Sequence, residues 1–185
     1  MIEITTSETN QDLEGILALQ KRNLKTDLSP DEIIAEGFVT VSHTWDDLKK
    51  MHLHEKNIIA KDGGQVIAYV LGMSEQSKHE IPRLVELYES FEHIHFNGKP
   101  VDDYHYIVVG QVCVDKAYRG QGLFDQCYNS YKHYFKEKYD FAITEIAGIN
   151  LRSMNAHKRI GFEVIHVYTD SSGVEWNVVV WDWKS

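Results

Sequence analysis

A chain of 185 residues, 43% hydrophobic, can bury one sizeable core and is too short for two independent domains to be expected by size, so one domain over 1–185 is expected. Its formal net charge of -9, with no concentration of Lys and Arg, argues against unaided binding to nucleic acid and fits an amine or other cationic substrate. Met1–Thr5 carries no basic, apolar leader, no apolar run is long enough for a bilayer, and Cys113 and Cys127 make neither a disulfide framework nor a cysteine-rich zinc site, so a cytoplasmic protein with reduced thiols is expected.

Met1–Thr5 reads as a strand, and Asn10 precedes Leu13, Ile16, Leu17, Gln20 and Leu24, a stripe at helical spacing. Ser29-Pro30-Asp31-Glu32 combines a capping side chain, proline at the first helical position and acids in the first turn, which predicts a second helix from Pro30. A short helix is expected from Trp45 to His54. Asn57–Lys61 and Gln65–Met73 flank Asp62-Gly63-Gly64 as an antiparallel hairpin. The polar stretch from Ser74 to Asp103 should hold one helix, Ile81–Phe91, and a turn at Asn97-Gly98-Lys99-Pro100, and is expected to flank the substrate cleft.

Tyr106–Val114 is almost continuously apolar, as a strand covered on both faces should be, with Gly110 where a bulge is tolerated. Phe124, Cys127, Tyr128, Tyr131 and Phe135 then repeat on one face of a helix. Phe141–Ala147 reads as a strand, Leu151–Ile160 as a helix, and Phe162–Thr169 with Val174–Trp183 as a final hairpin through Asp170-Ser171-Ser172-Gly173.

Between the apolar strand and the helix lies Arg119-Gly120-Gln121-Gly122-Leu123. A sharp strand-to-helix turn gathers unpaired N–H groups and the positive end of the helix dipole, and glycine lets a phosphate come close. Walker A would need Gly-Lys-Ser or Gly-Lys-Thr, and the dinucleotide fingerprint would need glycine at Asp125, so neither is supported. Taken alone, Gly120 and Gly122 could equally be no more than a tight turn.

The loop resembles the pyrophosphate loop of the GNAT acetyltransferase superfamily: Gln or Arg, two residues, Gly, one residue, then Gly or Ala. Arg119, Gly122 and the hydrophobic Leu123 match, while Phe124 stands where the pattern has a small residue. Downstream, Asn150 through Gly161-Phe162 is similar to the family's second block, with Asn, Ala or Ser, Tyr or His, and Gly-Phe in order. The two blocks span Tyr106–Phe162. The resemblance implies an α/β fold of GNAT type, with a mostly antiparallel central sheet, a splayed parallel pair of central strands, and flanking helices.

It also implies a function: transfer of an acetyl group from acetyl-CoA, as co-substrate, directly to a primary amine in a monomer or homodimer. Coenzyme contacts would come from Val112, Cys113, Val114, Arg119, Gly120, Gln121, Gly122, Leu123, Phe124, Asn150 and Ser153, with the Val112 amide as oxyanion donor. Glu145 falls where relatives place a carboxylate base, and His157 where many carry a tyrosine that protonates the thiolate. Each keeps a plainer reading: Glu145 as a solvated strand-end acid, His157 as a core histidine, Asn150 as a helix cap. The alternative function is an inactive acyl-CoA-binding sensor of the same fold.

The remaining clusters carry less. His93, His95 and His105, and separately His52 and His54, lack a carboxylate or cysteine partner, so no metal is expected. Cys113 sits in an apolar strand without an adjacent base, which disfavours a nucleophilic thiolate. Asp102, Asp103, Tyr104 and His105 either line the acceptor side or form a plain acidic loop.

Overall fold

The structure, a computed structural model, describes residues 1–27, 29 and 38–184, and the helix expected from Pro30 lies outside them. In chain order the elements are β1 (Ile2–Thr6), α1 (Asn10–Lys21), α2 (Trp45–His54), β2 (Ile58–Asp62), β3 (Gln65–Met73), α3 (Glu75–Glu80), α4 (Val85–Glu89), β4 (His95–Phe96) and β5 (Lys99–Pro100). There follow β6 (Tyr106–Val114), α5 (Leu123–Phe135), β7 (Phe141–Ala147), α6 (Leu151–Ile160), β8 (Glu163–Thr169) and β9 (Glu175–Asp182).

The main sheet runs β1-β2-β3-β6-β7-β9-β8, with β6 and β7 parallel and every other neighbouring pair antiparallel. Both faces are covered, which is why the central strands read as unbroken apolar runs. Alternate residues supply two cores. Tyr69, Leu71, Ile143 and Val178 pack with Leu13, Ile16, Leu48 and Phe91 on one face. Val70, Ile107, Ala142 and Val179 pack with Tyr128, Tyr131 and Phe135 of α5 on the other. Each such fully buried large side chain contributes roughly 1.5–3 kcal/mol.

Local chemistry sets the helix starts. α1 is capped by Thr9, one residue before the expected Asn10, in a reciprocal box: Asp12 N donates to Thr9 Oγ1 at 3.2 Å and Thr9 N to Asp12 Oδ2 at 2.9 Å. Thr44 and Asp47 repeat the device at α2.

The single helix expected over Ile81–Phe91 is broken instead. Ile81 is extended, with φ -125° and ψ 94°, because Pro82 disfavours helical geometry in the residue before it; a 3-10 turn over Pro82–Leu84 and the short α4 follow. The segment also does not flank the cavities described below. Ile81, Leu84, Tyr88, Phe91, Ile94 and Val101 are buried in the first core. Its turn at Asn97-Gly98 closes the small β4–β5 pair, with both residues at positive φ.

Candidate active site

β6 and β7 pair only from Tyr106↔Phe141 to Val108↔Ile143. Beyond that point Thr144 Oγ1 donates to Val109 O at 2.8 Å, and the strands part while each keeps its outer neighbour, β6 to Ala68↔Val114 and β7 to Ala147↔Trp176. A bulge helps β6 turn away: Val70 faces Val112 but Gly72 faces Val109, so the extra residue falls at Gly110–Gln111. A Cβ on Gly110 would lie 2.9 Å from Met73 Cγ, so a side chain there would have to displace Met73.

The hydrogen-bond alternation decides which amides face the gap. Asp115 N donates to Ile67 O at 2.8 Å, so the bonded rungs are Ile67/Asp115 and, two residues back, Tyr69/Cys113. Val112 and Val114 therefore direct their backbone groups toward β7, and Val114 O accepts from Arg119 Nε at 3.0 Å on that side. Of the expected Val112–Cys113–Val114 edge, only Val112 and Val114 present amides; Cys113 turns its own toward β3. Burial pushes the Cys113 thiol up to about 12, leaving no thiolate at neutral pH.

The glycine loop has the geometry its residues require. Gly120 and Gly122 have φ of 76° and 75°, and Gly122 is the N-cap of α5 with no side-chain cap. The first intrahelical bond runs from Gln126 N to Gly122 O at 3.1 Å, so the N–H groups of Leu123, Phe124 and Asp125 are not used by the helix. Arg119 turns inward, its Nη2 donating to Asn23 Oδ1 at 2.7 Å, and so braces the loop. The Phe124 ring, where a small residue was expected, packs 4.9 Å from Tyr128 and 5.3 Å from His157.

This loop, β6 and α6 enclose a cleft of about 730 Å³ that also touches Arg152, Arg159 and Phe38. Arg159 pairs with Asp125 at 2.5 Å, offsetting an acid in the first turn of α5. A second cavity of about 80 Å³ adjoins it through the shared Phe38, Val39, Val112, Asn150 and Ser153, and continues between the splayed strands to Glu145 and Trp176.

Glu145 accepts from the Tyr168 hydroxyl at 2.6 Å. Burial raises its carboxyl above the ordinary glutamate range, Tyr168 pulls the other way, and Asp170 adds a smaller upward push. The register Glu145↔Val178 and Ala147↔Trp176↔Tyr168 puts Glu145, Trp176 and Tyr168 on one face of the sheet.

His157 is only 2% exposed. Its Nδ1 lies 2.8 Å from Ser153 O, an acceptor only, so Nδ1 carries the proton and Nε2 accepts from Tyr128 Oη at 2.6 Å. Burial holds its pKa down to about 4. A neutral imidazole with both nitrogens engaged has no proton to give, so these bonds favour the core-histidine reading over the acid. Asn150 does cap α6, accepting from Ser153 N at 3.3 Å, and its Nδ2 donates to Phe38 O at 3.2 Å.

The sequence matches the acetyltransferase (GNAT) family over residues 23–162, more than half the chain. The chain belongs to the GNAT acetyltransferase family. No curated protein matches its sequence well enough to count as a relative. Solved structures share the fold at low identity. A ribosomal-protein alanine N-acetyltransferase from Escherichia coli is 13% identical, with TM-score 0.63 over 98% of this chain and 94% of that one. An N-acetyltransferase from Staphylococcus aureus is 18% identical, with TM-score 0.63 and 98% of each chain covered. A chain of a NatC complex bound to Gag peptide and CoA is 13% identical, with TM-score 0.65 and 99% of each covered.

Several walls of this GNAT acetyltransferase site come from residues that no sequence motif marks. Gln111, at the bulge, accepts from Tyr69 Oη at 2.5 Å and from Gln20 Nε2 at 2.8 Å, and donates to Val41 O at 2.8 Å. Gln20 also receives the His43 amide at 2.8 Å. This buried network pins residues 41–43 to the sheet. Gln20 in an otherwise apolar stripe was its visible signal. Tyr168 and Trp176 gave none, since either is ordinary in a terminal hairpin. Asp102, Asp103, Tyr104 and His105 line neither cavity. Among the described residues no three His, Cys, Asp or Glu side chains converge as a metal site, and no helix is long and apolar enough to cross a membrane.

Proposed function

We propose that this GNAT acetyltransferase moves an acetyl group from acetyl-CoA to a primary amine by direct transfer within a ternary complex. The observation that carries this reading is the position of Val112: its gap-facing amide stands where the large cleft meets the small cavity that ends at Glu145.

The cleft fits the coenzyme on its chemistry. Unused amides at the start of α5 suit a pyrophosphate, and the Val112 and Val114 edge suits the amide groups of a pantetheine arm paired like an added strand. Asn150 and Ser153 stand at the junction, Asn150 reaching such an arm only by exchanging its bond to Phe38 O.

Acyl transfer to an amine needs a neutral nucleophile, a donor for the developing oxyanion and a proton for the departing thiolate. Glu145, with its raised pKa, takes a proton from the incoming ammonium. The nitrogen then forms the new C–N bond as the C–S bond breaks, and the Val112 N–H supports the carbonyl oxygen while charge gathers there. The second amine proton passes to the departing thiolate and makes it the thiol, so that one proton rests on Glu145 and the other on sulfur. Ser153, which lines both cavities, is the side chain able to relay this proton to the sulfur, its hydroxyl accepting from the amine as it donates.

The test is thiol release from acetyl-CoA with a panel of primary amines, alongside calorimetry with coenzyme A. Turnover by the wild type and its loss in Glu145→Gln, at unchanged coenzyme affinity, is the expected result. Coenzyme binding without turnover on any amine would overturn the reading in favour of an acyl-CoA sensor.

A further inference from the structure

The two connected cavities differ in charge. Arg119, Arg152 and Arg159 stand around the large cleft, whereas no Lys or Arg lines the small one among the described residues. The small cavity contains one ionisable carboxylate, Glu145, and one buried neutral imidazole, His157. Most of its remaining wall is aliphatic, including Val41, Val109, Ile146 and Ala147.

One side of this cavity is lined by an indole whose position is fixed by a hydrogen bond. Trp176 lines it, and the indole N–H donates to Asp170 Oδ2 at 2.8 Å. Asp170 is itself fixed in the β8–β9 turn by Ser172 N at 2.8 Å, Ser172 Oγ at 2.7 Å and Val174 N at 3.0 Å. Tyr168 holds Glu145 from the same face. An indole beside a carboxylate attracts an alkylammonium twice, through the ring quadrupole and through the charge.

The space is also narrow. A volume of about 80 Å³ corresponds to roughly six water-sized positions at ~10–15 Å³ each. That admits an aminomethyl head with a short run of methylenes. A carboxylate on the carbon bearing the nitrogen would lie close to Glu145, with no Lys or Arg in the cavity lining among the described residues to offset it, which is costly.

We propose that the small cavity selects an unbranched alkylammonium, a CH₂–NH₃⁺ head with no acidic group on its α-carbon, and that Trp176 is a specificity-determining residue for it. The inference rests on the acetyl-transfer reading and narrows the acceptor from any primary amine to this class. The α-amino groups of free amino acids are thereby excluded. Two sources carry such a head: a free alkylamine or diamine, and a lysine side chain.

The experiment compares kcat/KM for pentylamine, norleucine and norleucinamide, which share a chain and differ in the group on the α-carbon. Pentylamine should exceed norleucine by at least about 100-fold, and norleucinamide should fall between them, recovering the part of the loss due to charge while its branched α-carbon keeps it below pentylamine. 1,5-Diaminopentane and Nα-acetyl-lysine amide distinguish the free amine from the lysine side chain. In Trp176→Leu, KM for pentylamine should rise about tenfold while the dissociation constant for coenzyme A stays put, and Trp176→Phe should restore most of it. Equal or better use of norleucine overturns the selectivity while leaving acetyl transfer intact. A loss for norleucinamide as large as for norleucine overturns the charge argument. Coenzyme binding with no turnover on any amine removes the acetyl-transfer reading and this inference with it.

Discussion

The cleft and the cavity it opens into are built by opposite means. The large cleft, rimmed by Arg119, Arg152 and Arg159, owes its binding groups mainly to backbone: amides at the start of α5, the Val112 and Val114 edge, and two glycines at positive φ. The small cavity is made of side chains from four separated places, Gln111, Glu145, His157 and Trp176. A backbone site depends on conformation and tolerates side-chain drift, so it suits a constant donor. A side-chain site changes with each substitution and suits a variable acceptor.

That contrast breaks most sharply at Glu145. Glu145→Gln should lower kcat/KM by on the order of 10²–10⁴-fold by removing the proposed base. Isothermal calorimetry should find the coenzyme affinity unaltered. Because burial raises the Glu145 pKa, wild-type activity should fall as pH drops through a value above the usual glutamate range, and a pH profile of kcat/KM checks it. An acidic limb at an ordinary glutamate value would assign the base elsewhere.

The converse change is Gly122→Val in the backbone site. A β-branched residue at φ 75° strains the cap of α5. Coenzyme affinity should weaken by about 30-fold, with a stability loss of roughly 1–2 kcal/mol in urea unfolding. Unchanged coenzyme binding would detach the loop from the donor.

His157 belongs to the small cavity and sharpens the comparison through stability. Its folded pKa of about 4 is below the unfolded value of 6.5, so the unfolded chain binds the extra proton between those pH values. The contribution is present above pH 6.5 and is lost as pH falls toward 4. Between pH 7.5 and 5 it should amount to about 2 kcal/mol, visible in paired urea titrations and absent in His157→Phe. If instead the folded His157→Phe protein loses kcat a thousandfold, the imidazole acts on the thiolate after all.

The smallest effect belongs to Thr144, whose hydroxyl bridges the strands where they part. Thr144→Val should cost about 1–2 kcal/mol, since it leaves Val109 O unpaired, and should shift coenzyme affinity by no more than a few-fold.

Much of this architecture was legible beforehand because it is local. Trp45–His54, Tyr106–Val114, Phe141–Ala147 and Leu151–Ile160 have the bounds their residue patterns predict. Gly110 marked the bulge and Gly122 the left-handed cap, since positive φ and close approach leave few residue types. Ile81–Phe91 was misread because helical apolar spacing was allowed to outweigh the restriction that Pro82 places on Ile81. The 74–103 segment was expected beside the cleft from its polarity, yet its few apolar residues decided its place in the core.

The sequence by itself determined the order of elements from Tyr106 onward, the GNAT blocks and the phosphate-suited loop, because these depend on neighbours within a few residues. Only the tertiary structure decided which amides of β6 face the gap, that His157 is neutral and enclosed, and that Tyr168, Trp176 and Asp170 stand around Glu145. Those facts depend on strand register and on partners 20 or more residues away, such as Tyr168 against Glu145 and Tyr128 against His157, and a pattern along the chain does not encode distances across it.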